Sequence, residues 1–167
     1  PGHRPVRAGE VLLFDFGAQV AGYRSDMTRT LFVGEPRARD LALYGVVRRA
    51  QAAVIEALEA AVRDGVVPDG RALDTVARDV IDGDGRWPAY GHGLGHGIGL
   101  ATHEAPSLSR NASADPLPGP TVFSVEPGIY LEGETGVRIE DLVHLDAARG
   151  IVERLTQFPR DVIALEA

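Results

Sequence analysis

The 167-residue sequence contains no cysteine, and this absence removes several kinds of chemistry at once. Disulfide bridges, catalysis by a thiolate and zinc sites built on cysteine are all excluded. Any metal ion that the chain binds must therefore use histidine, aspartate or glutamate side chains. Those ligands suit the harder divalent ions, so Mn2+ is the first expectation, with Co2+, Fe2+ and Zn2+ as alternatives.

Positive charge and long hydrophobic runs are also scarce. The 24 acidic residues outnumber the 17 lysines and arginines, so the formal net charge is −7. This balance argues against a nucleic-acid partner, because phosphate contacts need an excess of basic side chains. No apolar run approaches the roughly 18 residues of a membrane span, and no cleavable signal pattern opens the chain. We therefore expect a cytoplasmic protein with no nucleic-acid and no membrane partner.

The remaining composition, 44% hydrophobic, is sufficient for one domain over residues 1–167. Strand-like segments precede and follow two helical segments, an order that predicts an α+β fold. Leu43, Val47, Ala50, Val54, Leu58 and Ala61 form one apolar helical stripe, which Gly65 and Pro68 end. Asp69 is a candidate cap for a second helix whose inward positions are Leu73, Val76, Val80 and Ile81. Strands are expected at 11–16 (buried), 19–25, 28–33, 121–126, 136–146 and 150–155, with a surface loop at 106–120.

Several acidic residues stand inside apolar, strand-like segments. Asp15, Glu126 and Glu140 each follow or interrupt a run of hydrophobic residues, and Asp26 lies near a strand end. One such acid is usually at a strand end facing water, but four that converge in a core would repel one another strongly. Two divalent cations would cancel those four negative charges, which suggests a dinuclear site that activates a bridging hydroxide.

Three histidines lie close together in a glycine-rich segment. His92 and His96 are four residues apart, and His103 follows after the last glycine of the run. So many glycines oppose a helix, but in extended backbone His92 and His96 share a face and can point into one cleft. This clustering is typical of metal and catalytic sites. His3 and His144 have no such neighbours, and we interpret both as ordinary structural residues.

Six segments in order resemble the prolidase and Xaa-Pro aminopeptidase branch of the pita-bread metallopeptidase superfamily, which also contains creatinase and methionine aminopeptidase. They are Leu13-Phe14-Asp15-Phe16-Gly17, Ser25-Asp26-Met27-Thr28-Arg29-Thr30, His92-Gly93-Leu94-Gly95-His96-Gly97-Ile98-Gly99, His103-Glu104, Val125-Glu126-Pro127-Gly128-Ile129-Tyr130 and Gly136-Val137-Arg138-Ile139-Glu140-Asp141. The form of the last segment is similar to the Xaa-Pro branch rather than to methionine aminopeptidase.

The resemblance implies a role for each matching position. Asp15 would chelate the first metal, Asp26 and Glu140 would bridge the two ions, and His96 and Glu126 would complete the second. Glu126 would also carry a proton from the bridging water to the leaving amine. His103 would contact the substrate carbonyl or the tetrahedral intermediate. His92 and Arg138 would line the substrate pocket and favour proline at the second position.

The resemblance further implies a pita-bread fold that is incomplete at its N-terminal side, because no helices and hairpin precede residue 4. We expect this chain to form roughly the C-terminal two-thirds of the full catalytic domain. The expected activity is hydrolysis of the Xaa-Pro bond of a dipeptide or short peptide, and the resemblance allows a homodimer. Two alternatives stay open: a pita-bread binding module without catalysis, and another reaction on the same scaffold, either creatinase-like hydrolysis or a lyase reaction.

Overall fold

The computed structural model describes residues 3–88 and 90–166. Its strands and helices follow in the order β1 (Val11–Phe16), β2 (Gln19–Val20), β3 (Tyr23–Arg24), β4 (Met27–Val33), α1 (Ala38–Arg63), α2 (Gly70–Asp84), β5 (Gly95–Gly97), β6 (Glu104–Leu108), β7 (Thr121–Val125), β8 (Gly128–Leu131), β9 (Thr135–Arg138), β10 (Asp141–Asp146), β11 (Ile151–Arg154) and β12 (Ala164–Leu165). No helix in these two ranges has the length and apolarity needed to cross a bilayer.

Two sheets form the framework. Strands β1, β4 and β12 make one sheet in that order, and β11, β10, β7, β5 and β6 make the other. Strands β2 with β3 and β8 with β9 form two separate antiparallel hairpins. Leu43, Val47, Ala50, Val54 and Leu58 are wholly buried, as the helical stripe of α1 predicts, and they belong to the main hydrophobic core with residues of α2 and both sheets. The mixed α+β class is confirmed.

Local residues define both ends of α2, and the expected cap at Asp69 is confirmed. Asp69 caps the helix, because its side chain accepts a hydrogen bond from the Ala72 amide at 2.7 Å. Gly85 ends it in the left-handed region with φ of 69°, which glycine adopts without steric cost. Leu73 and Ile81 are buried, whereas Val76 and Val80 are partly buried against the core.

Four sequence expectations about elements need correction. Strand β1 is not buried: Leu13, Phe14 and Phe16 are exposed, because β1 is the edge of its sheet and pairs among the described strands with β4 alone. The segment 19–25 is not one strand but the hairpin of β2 and β3. The expected loop at 106–120 begins inside β6.

The fourth correction concerns residues 136–146, expected as one strand. The chain leaves strand geometry at Ile139 and Glu140, because β9 pairs with β8 in a hairpin whereas β10 pairs with β7 and β11. Glu140 therefore lies where the chain passes from the β8–β9 hairpin to the five-stranded sheet. The short strands β8 and β12 were not expected from the sequence.

Candidate metal centre

The two carboxylates of the first sheet lie near each other because of the pairing of β1 with β4. Asp15 is opposite Thr28 in this antiparallel pair, and Asp26 directly precedes β4. Glu140 joins them from the junction of β9 and β10, where its amide donates to the Thr28 carbonyl at 3.1 Å. The hydroxyl of Thr28 also donates to Glu140 Oε2 at 2.6 Å. Strand β4 thus orients a carboxylate that is 112 residues away in the sequence.

The second sheet contributes His96 and Glu126 as a linked pair. The His96 amide donates to Ser124 Oγ at 3.0 Å, and that hydroxyl donates to Glu126 Oε1 at 2.8 Å. His96 Nε2 lies 3.2 Å from the same carboxylate oxygen. The side chain of Ser124 therefore holds the imidazole and the carboxylate in a shared orientation.

This arrangement depends on glycines on either side of His96. A Cβ atom on Gly95 would lie 1.9 Å from the Ser124 carbonyl oxygen, and one on Gly97 would lie 2.1 Å from that of Ala105. Both distances are far below any van der Waals contact, so β5 fits between its neighbours only with glycine at these positions. The glycine-rich segment therefore permits close packing of backbone beside the site.

Ligand atoms of Asp26, His96 and Glu140 all lie within 4.8 Å of one another. These three residues line a cavity of about 480 Å³ together with Asp15, His103, Glu126 and others. The five predicted metal ligands are thus brought to one cavity. Glu126 and Asp15 lie outside the group of three, and Asp15 is the more exposed of the two. Its carboxylate accepts a hydrogen bond from Arg138 Nη2 instead.

The burial that the sequence suggested holds for only some of these acids. Glu140 is 2% exposed and the Glu126 side chain is 15% exposed, but the Asp15 side chain is 50% exposed. The inference that Asp15 is a buried carboxylate was therefore wrong. The reason is again the edge position of β1, which leaves one flank of the strand uncovered by described residues.

The electrostatics of the cluster favour bound protons or bound cations. Burial, together with the charges of Glu126, Asp26 and Asp15, raises the pKa of Glu140 to about 8. Burial and the charges of Asp15 and Glu126 also raise the pKa of Asp26. Repulsion among carboxylates thus opposes full ionisation of the cluster near neutral pH.

The His96–Glu126 pair behaves differently. Burial favours neutral His96, but its hydrogen bonds to Glu126 and the Gly97 carbonyl outweigh this and raise the pKa of His96 to about 9. Burial alone would raise the pKa of Glu126, but hydrogen bonds from His96 and Ser124 lower it overall. Glu126 is therefore favoured in its ionised form, in contrast to Asp26 and Glu140.

The chemistry of the donor set fits divalent cations. Glu140 Oε1 is buried and has no hydrogen-bond partner among the described residues, and Glu140 lines the same cavity as the other carboxylates of the cluster. A buried carboxylate oxygen without a partner is costly, and a cation supplies what is missing. One imidazole with four carboxylates suits Mn2+, Co2+, Fe2+ or Zn2+.

A second cavity of about 480 Å³ adjoins the first and contains the residues predicted to meet substrate. His92, His103 and Arg138 line it together with His96 and Glu126. The rings of His96 and His103 are 4.1 Å apart between centroids, so His103 lies directly beside the cluster. Arg138 Nε is 3.7 Å from Glu126 Oε2.

Tyr130 links His92 to Arg138 and was missed as a site residue by sequence reasoning. Arg138 Nη1 donates to the Tyr130 hydroxyl at 3.0 Å, and that hydroxyl lies 3.0 Å from His92 Nε2. His92 Nδ1 is 2.7 Å from the Gly93 carbonyl oxygen, and a carbonyl only accepts, so Nδ1 carries the donated proton. The signal in the sequence was the position of Tyr130 at the end of one family segment, four residues after Glu126. His3 and His144 line neither cavity.

Comparison with known proteins agrees with this geometry. Residues 1–147 match the sequence profile of metallopeptidase family M24. A putative dipeptidase of Bacillus subtilis is 39% identical over 165 residues, which are 99% of this chain and 43% of that protein. The chain thus spans less than half the length of this curated relative.

Solved structures show the same fold. The X-Pro aminopeptidase of Thermotoga maritima is 39% identical with a TM-score of 0.84, covering 96% of this chain and 43% of that one. The X-prolyl aminopeptidase of Caenorhabditis elegans, described as a cytosolic enzyme with a di-nuclear active site, is 26% identical with a TM-score of 0.76, covering 95% and 26%. The architecture is therefore of the pita-bread type, and this chain belongs to metallopeptidase family M24.

Proposed function

We propose that this chain carries the metal centre of a peptidase that hydrolyses the bond between an N-terminal residue and proline. The observation that carries the proposal is the convergence of Asp26, His96 and Glu140 within 4.8 Å, with Asp15 and Glu126 in the same cavity. The relatives named as X-Pro and X-prolyl aminopeptidases support the substrate class. Because the chain covers less than half of those proteins, the activity of the whole protein is part of the proposal.

The proposed ligands divide between two ions. Asp15 would hold the first, His96 and Glu126 the second, and Asp26 with Glu140 would bridge them. When bound, such ions make a water molecule more acidic and polarise a carbonyl group. Mn2+ is the proposed metal.

Glu126 is suited to move the proton in this reaction. The hydrogen bond from Ser124 favours its ionised carboxylate, so it can accept a proton from the attacking water. The same carboxyl group then donates that proton to the proline nitrogen as the bond breaks. His103, whose ring packs against His96, would donate a hydrogen bond to the substrate carbonyl oxygen.

Selectivity for proline would come from the second cavity. His92 and Arg138 line one wall of this cavity, and the Tyr130 hydroxyl, which bonds to both, fixes them relative to each other. A fixed wall favours a rigid ring at the second position over a flexible side chain, since the ring loses less conformational freedom on binding. Arg138 also supplies positive charge for the carboxylate of a dipeptide.

The test uses the full-length protein, stripped of metal with a chelator and reloaded with Mn2+. Elemental analysis should find two ions per chain, and Xaa-Pro peptides should be cleaved only by the reloaded protein. Matched Xaa-Ala peptides serve as the control for selectivity. Activity that survives complete metal removal would contradict the proposal, and bound metal without hydrolysis of any peptide would favour the binding module instead.

A further inference from the structure

The segment that carries His92 is rich in glycine, yet the proposed site needs this ring in one place. Gly91, Gly93 and Gly95 alternate with the functional residues, and a chain of this kind has high conformational entropy when it is unrestrained. Some other part of the protein must therefore hold the segment. The structure supplies a buried ion pair on α2, outside the metal cluster.

Asp74 is wholly buried and accepts hydrogen bonds from both ends of this segment. Its Oδ1 accepts from the Leu94 amide at 3.0 Å and from the Tyr90 hydroxyl at 3.2 Å. The same oxygen also accepts from Arg78 Nη2 at 3.1 Å, and Oδ2 accepts from Arg78 Nε at 2.6 Å. One carboxylate thus joins helix α2 to two residues that flank His92.

Arg78 completes the attachment by donating to backbone carbonyls. Its Nη1 donates to the Tyr90 carbonyl at 2.9 Å, and its Nη2 donates to the His92 carbonyl at 2.7 Å. The guanidinium also lies over the Tyr90 ring, 4.1 Å from its centroid. All three guanidinium nitrogens are therefore used, and the planar fork of arginine is what allows bonds in these directions at once.

From these contacts we propose that Asp74 and Arg78 are positioning residues that hold His92 in the substrate cavity. The Tyr90 ring they retain packs edge-on against His92 at 5.2 Å between centroids, and His92 in turn meets Tyr130. A buried ion pair contributes little net stability after desolvation, so stability alone does not account for it. The proposal rests on the proposed function of the second cavity, but its structural part can be measured without turnover.

The decisive variant is Arg78→Lys in the full-length protein. Lysine keeps the charge but cannot bond two carbonyls and both carboxylate oxygens together. We expect unchanged metal content, a fall in kcat/KM for Xaa-Pro peptides of about tenfold to a hundredfold, and faster hydrogen exchange at the Leu94 amide. Arg86→Lys is the matched control, because Arg86 makes a similar two-bond pair with Asp84, at 2.6 and 2.9 Å, on an exposed surface.

Two further measurements separate positioning from general damage. In a His92→Ala background, Arg78→Lys should lower kcat/KM by less than about twofold. If Arg78 acts through His92, the effects of the two substitutions do not add. If Arg78→Lys does not fold, Tyr90→Phe replaces it, because this change removes only the hydroxyl bonded to Asp74. We expect Tyr90→Phe to lower kcat/KM by a smaller factor.

Unchanged exchange at Leu94, or full additivity with His92→Ala, would overturn the positioning role. If no Xaa-Pro peptide is cleaved, the exchange data and the imidazole NMR signal of His92 still decide whether the ion pair holds the ring. If cleavage is normal in Arg78→Lys, the proposed function stands and the positioning role is wrong.

Discussion

Glu140 and His96 are the residues at which protons and metal ions compete. The pKa of Glu140 is raised to about 8 and that of His96 to about 9, so both hold a proton at neutral pH when no cation is bound. A metal ligand must release that proton first. The affinity for metal should therefore rise steeply with pH through this range.

The same shifts predict how the metal-free protein responds to pH. In the unfolded chain these groups titrate near 4.5 and 6.5, below their folded values, so the folded state binds more protons. The free energy of unfolding should therefore fall as pH rises from about 6 to about 9. Urea denaturation in the presence of chelator measures this. A stability that rises over this range would show that the cluster is not protonated as described.

Glu126 is the residue whose substitution should affect turnover most selectively. Glu126→Gln keeps the shape and the hydrogen bond with Ser124 but removes the proton acceptor. We expect kcat for Xaa-Pro peptides to fall about 10²- to 10⁴-fold, the usual contribution of a general acid–base group. Steady-state kinetics with elemental analysis checks this. Glu153→Gln, at an exposed position, should leave kcat unchanged.

At the scale of elements, Arg29 connects β4 by hydrogen bonds to the start of β10 and to the segment that follows β11. Its buried guanidinium donates to Asp141 at 2.6 Å, to the Glu140 carbonyl at 2.6 Å and to the Pro159 carbonyl at 2.8 Å. Arg29 thus holds the backbone at Glu140, although it does not line the cavity of the cluster. It was quoted in the sequence motif, but nothing in the pattern revealed this role.

Arg29→Met should therefore destabilise the fold strongly. Removing one partner leaves Asp141 buried with fewer compensating charges, which typically costs about 3–5 kcal/mol. Arg48→Met is the matched control, because Arg48 pairs with Asp161 at 3.2 Å on the surface and should change stability by less than about 1 kcal/mol. Chemical denaturation of both variants measures the difference, and equal effects would contradict the role given to Arg29.

The close packing of β5 between its neighbours gives a second prediction for an element. Gly95→Ala places a methyl group 1.9 Å from the Ser124 carbonyl, so β5 must move and the bond between His96 and Ser124 must lengthen. We expect a loss of about 1–3 kcal/mol or more and weaker metal binding. Gly83→Ala, in helix α2 with open space at its Cβ, should be neutral or stabilising. Calorimetry of both variants with and without Mn2+ provides the comparison.

At the scale of the whole molecule, metal binding and folding should be linked. Ions that bind only the folded state add about 2.7 kcal/mol of stability at a hundredfold excess over Kd. The rise in Tm on adding Mn2+ should be larger at pH 8 than at pH 6, because fewer protons must be displaced. Thermal denaturation at both values tests this, and an equal rise would mean that Glu140 and His96 are not ligands.

Some expectations about the whole molecule stay predictions. The chain covers 43% of its Bacillus subtilis relative, so placing it as the C-terminal two-thirds of a catalytic domain is a hypothesis about a longer protein. The cytoplasmic location, the homodimer and the preference for dipeptides over longer peptides have the same standing. Size measurements and a substrate series on the full-length protein address them.

Local patterns in the sequence were sufficient for the two helices and for selecting candidate metal ligands that the fold brings to one cavity. The apolar stripe of α1 and the cap at Asp69 depend on neighbours within one or two turns, and each was found correctly. The acidic and histidine residues were recognisable because such side chains are rare beside apolar runs and glycines. The resemblance of these segments to a family then indicated a pita-bread metallopeptidase, and the fold and the comparisons support that family.

Tertiary structure alone decided how these residues meet. The exposure of Asp15, the break at Glu140 and the bridge from Tyr130 to His92 and Arg138 each depend on strand pairing. The ion pair of Asp74 and Arg78 has the spacing of any surface pair on a helix, and only packing shows that it is buried against the histidine segment. The physical reason is that periodicity and capping act between near neighbours, whereas these contacts join residues far apart in the chain.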